Sequence, residues 1–286
     1  MIGAALPAIA CAARRPVTFD AGRSTTLQKE IVSRLAGDSD IRSGVRVAGR
    51  STVENRKEVR AYLAELFKKF GLAPRRQTYS AEGENVYAIL SCRRPSAETV
   101  VLGAHYDTAR NSPGANDNAS GVAAVAAVAE RMSRFEGPIS RDIVFVFFDE
   151  EERGMRGSRA FAQMLKDENR AVHSVHTIDQ MGWDQDGDRA IELEIPYEGA
   201  TDLYRRAATA LGMNIVIRTT AEAGSDHSAF RRLGYKAVGI TEEYRNSDTT
   251  PYIHRPGDTA ATVNFEYLAS TTRLLAKVTQ TIATSQ

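Results

Sequence analysis

The chain is poor in cysteine, with only Cys11 and Cys92 among its 286 residues. That is too few for a disulfide framework or a thiolate metal cluster. A surplus of charge is missing too. The 37 basic and 36 acidic residues leave a net charge of +1, so no global field points to nucleic acid or an anionic membrane. No apolar run reaches the roughly 18–20 residues that span a bilayer. Internal repeats and low-complexity linkers are likewise lacking. What remains is the balance of an ordinary globular chain, 42% hydrophobic and 26% charged, long enough to bury a substantial core.

The first fifteen residues, MIGAALPAIACAARR, stand apart. Ala8-Ile9-Ala10 before Cys11 resembles a signal-peptidase site and loosely a lipoprotein box, although no lysine or arginine precedes the apolar run. Residues 1–22 are therefore expected to be a leader of an exported chain (periplasmic, secreted or lipid-anchored), or else an unfolded tail of a cytoplasmic one. Residues 23–286 are expected to form a single domain.

Apolar spacing sets the elements. Val59, Leu63, Leu66, Phe67 and Phe70 recur at three and four, which predicts a helix over Val53 to Phe70 closed by Gly71. Helices are also expected over Leu27–Leu35, Ala119–Met132, Arg156–Leu165, Ala200–Leu211, Asp226–Arg232 and Val263–Ile282. Strands are expected over Arg76–Tyr79, Asn85–Ser91, Thr99–Ala104, Asp142–Phe148, Ser174–Ile178, Ile215–Ile217 and Ala237–Ile240. DIVFVFF, at 142–148, is apolar almost throughout, as befits a strand buried on both faces. Alternating strands and helices predict an α/β fold, a three-layer αβα sandwich whose mostly parallel central sheet carries antiparallel edge strands.

In such sheets ligands gather beyond the carboxyl ends of strands, and the unusual residues of this sequence fall there. His105 and Asp107 follow one strand, Asp149 to Glu152 another, and Asp179 a third. Asp117 sits in GANDNASG before a helix, and His254 in the late loop YIHRPGDT. Taken singly, most have a plain alternative. Four acids in a row read as the solvated start of a helix, Asp117 as an N-cap, His254 as a loop residue, and Asp179 is open. His105-x-Asp107 is the least ordinary, since it fits a metal ligand oriented by a carboxylate behind it. Together, two histidines and several carboxylates suit Zn²⁺ or a similar cation.

Six motifs in order, GAHYDT, PGANDNASGVAA, FFDEEERGMRGS, IDQMG, SDHSAF and YIHRPGDT, make the chain from about Ser51 onward resemble the bacterial leucyl-aminopeptidase type of zinc exopeptidase, whose relatives include carboxypeptidases and glutaminyl cyclases. The resemblance implies two Zn²⁺ ions, with His105 and Asp179 on one, Glu152 and His254 on the other, and Asp117 bridging them. It implies Glu151 as general base and then acid, with Asp107 behind the His105 ring, and a cis peptide between Asp117 and Asn118. The family pattern, counted back from Gly154 and Gly157-Ser158, selects Glu151 and Glu152 and leaves Glu150 aside. The implied substrate is a peptide with a free N-terminus, acted on by a monomer, with Asp226, His227, Tyr244 and Tyr252 as candidate substrate contacts. Phe230 is a candidate for the same wall, although plain packing is its ordinary use. His173 and His176 read as structural or surface residues, and Trp183 as packing under the site. Arg153 and Gln180 depart from the family pattern without removing a ligand. Three rivals remain: a single-zinc glutaminyl-peptide cyclotransferase, a carboxypeptidase or dipeptidase of the same fold, and a binding module without catalysis. The last is disfavoured by the complete ligand set.

Overall fold

The computed structural model describes residues 20–92, 94, 97–245 and 248–285. The leader expected at the N-terminus lies outside the described residues but for its last few positions. Seven helices and eight strands build the described chain: α1 (Ala21–Leu35), α2 (Val53–Lys69), β1 (Pro74–Thr78), β2 (Glu84–Leu90), β3 (Thr99–His105), α3 (Gly121–Ser133), β4 (Asp142–Phe148), α4 (Arg156–Asp167), β5 (Val172–Ile178), β6 (Ile191–Glu194), α5 (Ala200–Ala210), β7 (Ile217–Thr220), α6 (His227–Arg231), β8 (Ala237–Thr241) and α7 (Phe265–Thr284).

The strands form one sheet in the order β1-β2-β4-β3-β5-β8-β6-β7. The central run β4-β3-β5-β8 is parallel throughout, β1 and β2 add antiparallel pairings on one side, and β6 runs antiparallel to β8 on the other. The α/β class with a mostly parallel sheet is as the sequence predicts. Alternation along the central strands feeds two cores. Ile143, Phe145 and Phe147 of β4 join Val100, Leu102 and Ala104 of β3 under α1, α2, α3, α5 and α7. Val144, Val146 and Phe148 join Val101 on the other face, under Phe161 of α4 and Phe230 of α6. The result is the expected three-layer sandwich.

Differences from the expected elements have local causes. Helix α1 starts at Ala21 because Asp20 accepts the Arg23 N–H at 3.0 Å and caps it. Its first turns are polar, so apolar spacing registers only from Leu27. Strand β6 was absent from the expected set. Its Ile191 and Leu193 enter the larger core while Glu192 and Glu194 are also buried, an arrangement that four residues of alternating acid do not announce. Strand β7 runs Ile217–Thr220, shifted beyond the expected Ile215–Ile217.

Because β3, β4, β5 and β8 are parallel, their carboxyl ends lie along one edge of the sheet. His105 sits opposite Phe148 at that edge, and Asp179, following β5, donates its N–H to Ile240 of β8 at 3.0 Å.

Candidate metal centre

His105 is the last residue of β3 and is 1% exposed. Its Nε2 lies 3.3 Å from Asp117 Oδ1 and 3.3 Å from Asp179 Oδ1. His254 Nε2 lies 3.1 Å from Asp117 Oδ2 and 3.2 Å from Glu152 Oε2. One oxygen of Asp117 thus faces each imidazole. The donor atoms form two groups, His105 with Asp117 and Asp179, and Asp117 with Glu152 and His254, each within 4.8 Å.

Loops at the strand ends hold this arrangement. The peptide between Asp117 and Asn118 is cis, as the resemblance implied. Around it the Asn116 and Asp117 N–H groups donate to the Asp258 carboxylate at 2.7 and 3.1 Å. The Asn116 side-chain amide donates to Glu242 at 3.0 Å, and that of Asn118 donates to the Ile178 carbonyl at 2.8 Å, tying the turn to the end of β5. Gly114 starts the turn at φ 67°, and a Cβ there would meet Thr108 and the Asp117 carbonyl within 2.5 Å, so only glycine fits.

Asp107 does two things at once. Its Oδ1 lies 3.4 Å from His105 Nδ1 and accepts the Glu151 N–H at 3.0 Å, while Oδ2 accepts the Glu152 N–H at 3.2 Å. One carboxylate therefore stands behind the histidine and also sets the backbone of the glutamate turn.

The acidic run after β4 divides in two. Asp149 and Glu150 turn inward and meet cations: Arg56 Nε lies 2.8 Å from Asp149 Oδ1, Arg60 Nη1 3.3 Å from Asp149 Oδ2, and Arg56 and Arg153 approach Glu150 at 3.3 and 3.2 Å. Arg153, a departure in the motif, thus has a partner. Glu151 and Glu152 turn outward into the site. Glu152 Oε1 accepts the Ala109 N–H at 2.9 Å, and Glu151 lines the cavity beside it.

The electrostatics express an excess of negative charge. Burial pushes the Glu151 carboxyl up to about 10, and the neighbouring charges of Asp226, Asp179 and Asp107 push the same way against His105. Burial also works against the charged form of Asp117, but the imidazoles of His105 and His254 outweigh it and hold that carboxyl below its ordinary range. His254, hydrogen-bonded to Asp117 and Glu152, is raised to about 10. Beneath them Arg50, wholly buried, donates to the Tyr106, Leu35, Pro113 and Gly114 carbonyls. Its burial lowers its pKa to about 10 although Asp258, Asp107, Asp117 and Glu152 hold it up. It fixes the loops and gives one positive charge behind several acids.

A cavity of about 180 Å³ opens on the cluster, lined by Asp117, Glu151, Glu152, Asp179 and His254 and also by Glu194, Glu222 and Tyr244. A larger groove of about 1040 Å³ lies between α1 and α7 and includes none of these residues. Of the candidate substrate contacts, Tyr244 is in the cavity wall. Asp226 and His227 are buried at the start of α6, behind that wall, and Tyr252 turns its ring to Trp183 at 6.1 Å. Asp226 makes no side-chain cap to α6; burial raises its pKa to about 7. Phe230 packs against Phe148 in the smaller core. His176 is buried between Tyr204 and Ser174, and burial lowers it to about 3.

Sequence reasoning missed Arg50, Glu194, Glu242 and Asp258. Asp258 lies within YIHRPGDT and was legible as a polar residue four positions after His254. Glu194 carried only a weak signal, an acid alternating with apolar residues in IELE.

Several known proteins are similar to this chain. The model of peptidase family M28 matches residues 85–279. Leucine aminopeptidase 1 of Aspergillus niger is 29% identical over 197 residues, covering 62% of this chain and 50% of that protein. The chain spans about half the length of the curated relatives it matches. The LapA aminopeptidase of Legionella pneumophila superposes with a TM-score of 0.78 at 19% identity, over 95% of this chain and 77% of that one. The glutaminyl cyclase of Porphyromonas gingivalis gives 0.74 at 17% identity, over 92% and 98%. These two likenesses carry the fold.

Proposed function

Since the chain belongs to peptidase family M28, we propose that it is a metal-dependent aminopeptidase that works with two zinc ions. The observation that carries this reading is the placing of Asp117, one oxygen toward His105 and the other toward His254. The donor chemistry fits the metal: two imidazoles and three carboxylates, no thiolate, and more buried negative charge than Arg50 balances. His105 and Asp179 would hold one ion, Glu152 and His254 the other, and Asp117 both.

Zinc supplies Lewis acidity there, polarising a scissile carbonyl and making water acidic enough to attack near neutral pH. The chain's own part is positioning and proton transfer. Glu151, mostly buried and within the cavity, accepts the proton of the attacking water and hands it to the leaving amine. A carboxyl held up by burial and by the acids around it suits that double task once cations offset part of the field. Asp107 keeps His105 and the Glu151–Glu152 backbone in mutual register. The carboxylates that line the cavity would receive the free α-amine and disfavour a blocked terminus.

A glutaminyl cyclase reading is favoured by one observation, the match to nearly the whole length of the Porphyromonas gingivalis enzyme. The same Glu151 would then move the proton. Hydrolysis of leucine p-nitroanilide and of its N-acetyl form, before and after chelation, tests the proposal beside cyclisation of an N-terminal glutamine peptide. Chelator-sensitive hydrolysis of the free form alone supports it. Cyclisation without hydrolysis supports the cyclase, and turnover untouched by chelation defeats both.

A further inference from the structure

The wall of the cavity beside the metal cluster includes acids that do not suit an aliphatic side chain. Gln180, Glu194, Glu222, Thr241, Tyr244 and Ile253 line it. Glu222 already has a cation, since the Arg245 guanidinium pairs with it. Glu194 has no lysine or arginine in ion-pair contact among the described residues, and Arg245 acts on it only from farther off. It is 5% exposed, its Oε2 lacks a hydrogen-bond partner, and His227 Nδ1 lies 3.5 Å from that oxygen. That imidazole gives little, because His227 Nε2 faces the Glu222 carbonyl at 3.3 Å. A neutral ring donating there presents only an acceptor to Glu194.

The backbone makes room for this acid. Glu194 lies opposite Gly239 in the antiparallel β6–β8 pair. A Cβ on Gly239 would come within 2.2 Å of Glu194 Oε2 and 2.7 Å of His227 Nδ1. The strand residue at this place is one whose lack of a side chain admits a carboxylate. A buried acid without a donor is costly as an anion, so burial raises Glu194 to about 8, and a cationic group entering the cavity would stabilise its charged form.

We propose that the cavity takes the side chain of the substrate's N-terminal residue, and that Glu194 selects lysine or arginine there. This rests on the aminopeptidase reading, which brings that side chain beside the metal cluster. The aliphatic stem would run along Ile253 and Tyr244 and the charged tip would reach Glu194. Leucine or norleucine in the same cavity would bury Glu194 without a partner, which is discrimination by penalty as well as by attraction.

The test uses the zinc-loaded full chain with the p-nitroanilides of lysine, arginine, norleucine and leucine, and measures binding of lysinamide against norleucinamide by calorimetry. The expected kcat/KM for lysine exceeds that for norleucine by about 10²-fold, and Glu194→Gln removes most of that factor, lowering lysine and raising norleucine. Norleucine or leucine turned over as fast as lysine overturns the proposal and leaves the peptidase standing. An equal fall for all four substrates in Glu194→Gln also overturns it. If nothing is hydrolysed, yet lysinamide binds more tightly than norleucinamide only while Glu194 is present, the pocket stands and the peptidase reading falls. Should Glu194→Gln fail to fold, the ranking of lysine against norleucine in the unaltered protein decides alone.

Discussion

Replacing Arg56 by methionine removes the cation on which the inward half of the acidic run depends. Its guanidinium and the Asp149 carboxylate are both fully buried and 2.8 Å apart, and it also reaches Glu150 at 3.3 Å. Breaking a buried pair from one side costs about 3–5 kcal/mol. Arg60 still faces Asp149 at 3.3 Å, and the Glu84 N–H still donates to it at 3.1 Å, which puts the loss at the lower end, about 3 kcal/mol. For a chain of this size that is a fall in Tm of about 6–12 °C. The pH dependence has a definite sign. Burial already raises Asp149 to about 6 against the pull of Arg56, and without that pull the folded pKa climbs further. An acid with a raised folded pKa stabilises the fold at low pH and loses that contribution as pH rises through the folded value. The variant's deficit should therefore be smaller at pH 5.5 than at pH 8, and Arg56→Met/Asp149→Asn should recover part of it. Urea unfolding at the two pH values decides the matter. A variant as stable as the parent at pH 8, or a deficit that does not change with pH, would refute the reasoning.

Three further outcomes follow from the same contacts. Glu151→Gln should keep its metal and lose kcat by about 10²–10⁴-fold, read from metal analysis beside single-turnover kinetics; near-full activity would remove Glu151 from the proton path. His176, lowered to about 3 by burial, stays neutral in the fold while the unfolded chain takes up a proton below about 6.5. It therefore costs stability as pH falls, about 2 kcal/mol at pH 5, and His176→Gln should flatten the decline between pH 7.5 and 5; parallel declines would contradict this. Asp258→Asn weakens the acceptor of the Asn116 and Asp117 N–H groups and should loosen zinc without a large change in Tm, as equilibrium dialysis against a competing chelator would show; unchanged zinc affinity would count against the tie.

The sheet was legible because its central strands are either continuous apolar runs or end in residues that are wasted on a core. DIVFVFF could hardly be anything else, and His105 and Asp179 mark where strands stop. Strand β6 was illegible because tertiary burial of Glu192 and Glu194 overrides what an alternating acid pattern normally means. Of the site, His105, Asp117, Glu152, Asp179 and His254 converge as the resemblance implies. The residues that hold them do not announce themselves. Arg50 is one of several arginines in a polar stretch, and only the fold brings the Leu35, Tyr106, Pro113 and Gly114 carbonyls around it. The four acids after β4 looked alike in sequence. Their division into two held by Arg56, Arg60 and Arg153 and two facing the cavity depends on α2 packing beside the turn.

The central claim is that Asp117 joins two cation sites, and zinc counted per chain tests it most directly. Protein stripped by chelation and reloaded with zinc should bind two equivalents by mass spectrometry of the metal, with hydrolysis following that loading, and Asp117→Ala should lose both ions. Full activity with no metal, or two ions still bound in Asp117→Ala, would contradict the account.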